Sequence, residues 1–151
     1  MFGLFGKKEQ KEAANRIGVE IHRQLIEALQ TNELSTSNNL SSAFTAGYLT
    51  GFIWFGFTAQ GYEGEKLLNK YTKHICNGVL PGKLYDIFNK QYAALELANQ
   101  LGKTDEIELY EKAIQVGVYD SGVFSVFNRN EANNFFNYLT NQELQYEEMP
   151  G

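Results

Sequence analysis

The chain has 151 residues, 43% of them hydrophobic and 14% aromatic, with a net charge of −5 and one cysteine. That is the usual length of a single domain with enough apolar material for a core, so disorder is excluded except at the ends, about 1–7 and 142–151. The charge is uneven: residues 104–151 hold only Lys112 and Arg129 against nine acids, which excludes the basic patch that nucleic acid requires.

Met1–Gly6, MFGLFG, reads as a short apolar leader, too brief for a signal peptide or a span. Lys8–Gln30 carries Ala14, Ile17, Ile21, Leu25 and Ala28 at spacings of three and four, the mark of an amphipathic helix. Lys11, Glu12, Arg16, Glu20, Arg23 and Glu27 fall on its other sides, and Glu12–Arg16 has the spacing of a helical ion pair. Thr31–Asn39, TNELSTSNN, reads as a polar linker, because Ser, Thr and Asn side chains compete for backbone hydrogen bonds.

Ala43–Ala59, AFTAGYLTGFIWFGFTA, is apolar or small on every side and lies in an uncharged run from Leu34 to Tyr62. A helix of that kind is buried, and the one-sided helices around it would wrap it. Gly47 and Gly51, spaced G-x-x-x-G, form a small-residue stripe for close helix packing. Threonines, Tyr48 and the glycines keep the segment's hydropathy below that of a typical span, so it reads as a core helix and membrane association is disfavoured.

Beyond Gly61 and Gly64, Glu65–Asn77 presents Leu67, Leu68, Tyr71 and Ile75 on one face, with Gly78 as its stop and Pro81-Gly82 as a turn. Leu84–Leu101 keeps the three/four rhythm up to Gly102, and Thr104 opens a partner helix through Ile114. Val116–Asn128 is ambiguous: a small hairpin around Asp120-Ser121-Gly122, or one helix ending near Val118 and another starting after Asp120. The helical version is preferred, since no other strand candidate exists to build a sheet. Asn128 and Glu131 resemble a capping box for Asn130–Thr140, whose apolar face is Phe135, Phe136 and Leu139.

Reactive chemistry is sparse. Two histidines and Cys76 lack zinc-ligand spacing, and Val19 and Tyr71 stand where a di-iron Glu-x-x-His motif needs acids before His22 and His74. Cys76 has no base facing it and reads as a small buried apolar residue. Gly78–Lys83 is too short for a phosphate loop and has no Ser or Thr after its lysine. No metal, cofactor or catalytic residue is assigned.

Leu95–Ile114 resembles the middle of a tetratricopeptide repeat in Gly102, Asp105, Glu106, Tyr110, Lys112 and Ala113. The step from Gly102 to Ala113 is one residue short, Ile107 replaces the family's Ala, and no second copy exists where solenoids need about three. The resemblance implies a helical hairpin and does not identify the family.

The expectation is therefore an all-α single domain of roughly five to seven helices around Ser42–Gln60. With no signal peptide and a lone cysteine, a reducing cytoplasm is the economical location. The aromatic surplus suggests a non-enzymatic interaction module that self-associates or takes a protein partner. The alternative is a pocket for a small apolar or aromatic ligand, lined by Tyr48, Phe52, Trp54, Phe55 and Tyr71.

Overall fold

The computed structural model describes residues 2–62, 64–76, 84–126 and 132–147, and their side chains apart from those of 2–7, 125 and 126. Among the described residues the chain forms helices α1 (Phe2–Thr31), α2 (Glu33–Leu40), α3 (Ala43–Thr58), α4 (Glu65–His74), α5 (Leu84–Gln100), α6 (Thr104–Val126) and α7 (Asn134–Leu139), and no strand. The all-α bundle expected from the periodicities is the architecture observed. None of these helices is long and apolar enough to cross a membrane.

Helix α3 is the axis. Phe44, Tyr48, Leu49, Phe52, Ile53 and Phe57 are all fully enclosed, because α1, α4, α5 and α6 lie against its different sides. Its closest neighbour is α6. Gly47 and Gly51 face the α6 backbone: a Cβ on Gly47 would collide with the carbonyl oxygen of Tyr110, and one on Gly51 with that of Ile114. Gly117 on α6 returns the relation, since a Cβ there would strike the carbonyl oxygen of Tyr48. The glycine stripe thus packs one helix backbone directly onto another within the protein. Ser121 closes the seam by donating from Oγ to the Phe52 carbonyl at 2.8 Å.

Helix α6 is continuous through Asp120-Ser121-Gly122, which excludes the hairpin and also removes the break expected near Val118. Close packing on α3 through Gly117 leaves no room for a turn there. Thr31–Asn39 is a second correction, for most of it is α2 rather than a linker. Asn32 caps α2 by accepting from the Ser35 amide at 3.1 Å, and Ser35 and Thr36 are buried. Tertiary contact overrides poor intrinsic propensity here. Helix α1 begins at Phe2, earlier than its periodicity predicts.

Glu20, which the spacing sets on an outer side of α1, is buried and paired with Arg23, whose guanidinium also reaches Glu27. Arg16 turns from Glu12 to donate to Gln60 Oε1 at 3.1 Å. Helices α5 and α6 form the expected hairpin, with Gly102 at φ 70° just past the end of α5. A left-handed conformation of that kind favours glycine. Gly78, the Pro81-Gly82 turn, the Gly78–Lys83 loop and the Asn128–Glu131 capping box lie outside the described residues.

Candidate functional site

The five aromatic residues proposed to line a pocket separate into different surroundings. Tyr48 and Phe52 are enclosed on one side of α3, their rings 5.7 Å apart. Trp54 is half-buried and donates from Nε1 to Thr72 Oγ1 on α4 at 3.2 Å. Phe55 is half-buried beside Gly122 of α6. Tyr71 packs on Phe57 and donates to Gln10 Oε1 at 3.1 Å. The surface clefts lined by Glu108, Lys112 and Tyr146, by Arg16, Val19 and Phe124, and by Tyr92, Ile107 and Tyr110 include none of the five.

What the fold does assemble is a polar cradle around α7. A helix of six residues cannot satisfy its own ends. Here other helices do so. At the N-terminal end, Gln24 Oε1 of α1 accepts from the Phe135 and Phe136 amides, each at 3.1 Å. Asp120 Oδ2 of α6 accepts from the Asn134 amide at 3.0 Å. At the C-terminal end, Ser35 Oγ donates to the Leu139 carbonyl at 3.0 Å. Asn39 Nδ2 donates to the carbonyls of Tyr138 and Leu139 at 3.1 and 3.2 Å. Acceptors meet the amide end and donors meet the carbonyl end, so side chains of α1, α2 and α6 cap both ends of α7.

The cradle shares its central atoms with the α3 core. Tyr48 donates to Asp120 Oδ2 at 2.7 Å, and Gln24 Nε2 donates to the Tyr48 oxygen at 3.0 Å. Asn134 Nδ2 adds a bond to Asp120 Oδ1 at 2.8 Å. Arg23 extends the network by donating from Nη2 to the Ala132 carbonyl and to Asn133 Oδ1. Aromatic stacking fills the space between: Tyr48 on Phe135 at 5.0 Å and Phe44 on Tyr138 at 3.9 Å.

Burial decides the electrostatics. Asp120 is 1% exposed, and desolvation lifts its carboxyl from 3.8 to about 6 despite three hydrogen bonds that favour the charged form. Burial pushes the Tyr48 hydroxyl well above its usual value, and the Asp120 charge adds to the rise. Neither group is open to a substrate in this arrangement, so the cluster is a structural clasp.

The sequence reading passes over Gln24 and Asn134 and places Asp120 in a turn. Two signals in the chain point to Gln24 and Asp120 as buried polar groups. Gln24 is a polar residue on the apolar stripe of α1, between Ile21 and Ala28. Asp120 is the only charge from Ala113 to Asn128. A polar group in such a position must find a buried partner.

Among the described residues no three His, Cys, Asp or Glu side chains converge to hold a metal ion. His74 lies edge-on to Tyr71 at 6.4 Å. Cys76 is fully enclosed and its thiol is pushed up to about 12 by burial. A disulfide-exchange reagent is therefore expected to label Cys76 only as fast as the protein opens, with full labelling in denaturant. Rapid labelling of native protein would show that the end of α4 is loose.

Among the described residues, large apolar side chains are exposed at Val19 on α1, Leu34 on α2, Tyr92 on α5, and Leu97 and Leu101 at the end of α5. Comparison with known protein families, with curated proteins and with solved structures finds no match to this chain.

Proposed function

We propose that the protein is a non-enzymatic interaction module that self-associates through the outward face of α5. The observation that supports this reading is that the apolar surface of α5 extends beyond its buried face. Leu84, Leu95 and Ala98 are buried within the chain. Beside that face Leu97 and Leu101 are 56% and 60% exposed, and the exposed Ala93 and Ala94 continue the stripe. Residues three and four apart share a helix face, so these four make one stripe.

A second copy of α5 laid along that stripe would cover both leucines and leave Lys90 and Lys103 near its ends. Two small residues beside two leucines allow the helices a close approach. A stable dimer buries about 800 Å² on each partner, more than one stripe supplies, so flanking parts of α6 would join the contact.

Native mass spectrometry and light scattering test this reading. The wild type is expected at a clean multiple of 17.1 kDa. The double substitution Leu97→Glu with Leu101→Glu is expected to give a monomer with unchanged helicity and thermal stability, because both positions face solvent within one chain. A wild-type monomer throughout the concentration range would overturn the reading. Unfolding of the double variant would show instead that the leucines belong to the fold. A persistent extra mass on every chain would favour a bound apolar ligand.

A further inference from the structure

The α5–α6 hairpin carries a cleft as well as the exposed leucines. Leu95 of α5 and Ile107 of α6 line it with apolar carbon, and Tyr92 and Tyr110 meet hydroxyl to hydroxyl at 3.2 Å. The cleft measures about 450 Å³, with one carboxylate on each helix, Glu96 on α5 and Glu111 on α6. Among the described residues neither carboxylate forms an ion pair, and no cation lines the cleft. It is therefore apolar within and acidic at its rim, and what complements it is an apolar ridge flanked by cations.

The outer stripe of α5 has that chemistry. Lys90, Ala94, Leu97 and Leu101 follow at steps of four, three and four, so they form one row, and Lys103 stands just past its end. Both lysines are exposed and, among the described residues, have no carboxylate partner. Asp86, one turn before Lys90, lies outside the apolar part of the row. The row from Ala94 to Leu101 and the cleft wall from Tyr92 to Asn99 each run over about 10 Å of helix.

Row and cleft face different ways. Positions 97 and 101 stand roughly 100–180° round α5 from positions 92, 96 and 99, so a chain cannot fill its own cleft with its own leucines. A row laid flat on a second row buries less than the about 800 Å² that each partner of a stable pair needs, whereas a cleft covers a ridge from both flanks and brings α6 into the contact. Building on self-association through α5, we propose that Ala94, Leu97 and Leu101 of one copy seat in the α5–α6 cleft of the next, with Lys90 and Lys103 against Glu96 and Glu111. Each copy whose row is seated still offers its cleft, so the assembly runs head to tail, into a ring or an open chain.

Complementation between two variants of the full chain is the test. Leu97→Glu with Leu101→Glu spoils the row and leaves the cleft, and Glu96→Lys with Glu111→Lys reverses the rim of the cleft and leaves the row. All four side chains are exposed within one chain, so both variants are expected to keep wild-type helicity and thermal midpoint. In native mass spectrometry and light scattering the wild type should form species larger than a dimer, and each variant alone should fall to 17.1 kDa. Their equimolar mixture should give a heterodimer of twice that mass, because one intact row meets one intact cleft and the contact ends there. If the leucine variant does not fold, Lys90→Glu with Lys103→Glu takes its place, and mixing it with the rim variant should restore assembly. A mixture that stays monomeric, a rim variant that assembles as the wild type does, or a wild type that stops at a dimer would overturn the head-to-tail contact while leaving self-association through the leucines intact. A wild type that is monomeric at every concentration would overturn both.

Discussion

Gly51→Ala and Gly117→Ala are each expected to destabilise the protein by about 2–3 kcal/mol, whereas Gly122→Ala should stabilise it by about 0.5–1 kcal/mol. All three glycines lie inside helices, so alanine gains propensity at each. The difference lies in what the new methyl meets. At Gly51 it would collide with the carbonyl oxygen of Ile114 and lie 3.1 Å from its Cα. At Gly117 it would strike the carbonyl oxygen of Tyr48 and lie 2.8 Å from the Phe52 nitrogen. These are backbone atoms that no rotamer change can withdraw. Only separation of α3 from α6 relieves them, which loosens the tightest contact in the bundle. At Gly122 the nearest atom is Phe55 Cε1 at 3.6 Å, ordinary contact distance. Chemical denaturation midpoints measure all three. Because Gly51 and Gly117 act on one seam, the double variant should lose less than the sum of the two. Equal behaviour of all three variants would mean that α3 and α6 are not in backbone contact.

Gln24→Leu should cost about 3–5 kcal/mol, with the loss concentrated in α7. The side chain is fully buried and serves three neighbours: the Phe135 amide, the Phe136 amide and the Tyr48 hydroxyl. Leucine has similar volume, so the packing term is small and the penalty is that of stranded polar groups. Two of these are amides at the start of a helix too short to hold itself. Near-ultraviolet circular dichroism should show the loss of Phe135 and Tyr138 packing, while far-ultraviolet helicity falls only slightly. Gln24→Glu makes a sharper comparison. It keeps an acceptor for both amides but places a third carboxylate near Asp120 and Glu20. Its stability should approach the wild type in acid and fall at neutral pH, where the like charges repel. A Gln24→Leu variant as stable as wild type would show that α7 does not depend on this cap.

Much of the helical scaffold was legible in the residues. The stripe from Ala14 to Ala28 marks α1, the rhythm from Leu84 to Leu101 marks α5, and the all-round apolar Ala43–Ala59 marks the central helix. In each, periodicity reports burial directly, because a helix repeats its face every three or four residues. Helix α2 was illegible for the same reason. ELSTSNNL has no apolar period, and it is helical because Ser35 and Asn39 are needed beneath the carbonyls of α7. The continuity of α6 was hidden by β-branched and aromatic residues with a glycine on either side of Asp120. Its glycine at 117 reads as a weakness until the backbone of α3 is set against it.

The clasp around α7 was the least legible feature. Gln24, Tyr48, Asp120 and Asn134 come from four helices and are separated by many residues of chain. No local pattern records that they meet. A lone carboxylate in an uncharged stretch told only that some partner must exist.

By itself, then, the sequence determined that the chain is all-α, where α1, α3 and α5 lie, which helix is buried on all sides, and that Gly47 and Gly51 form a packing stripe. These properties depend on spacing and hydropathy within a few turns of chain. Only the tertiary structure decided that the stripe meets α6 rather than another molecule, that a polar stretch becomes α2, and that α7 is held by side chains from elsewhere. Those outcomes depend on hydrogen bonds and backbone contacts between residues distant in the chain, for which burial leaves no local period.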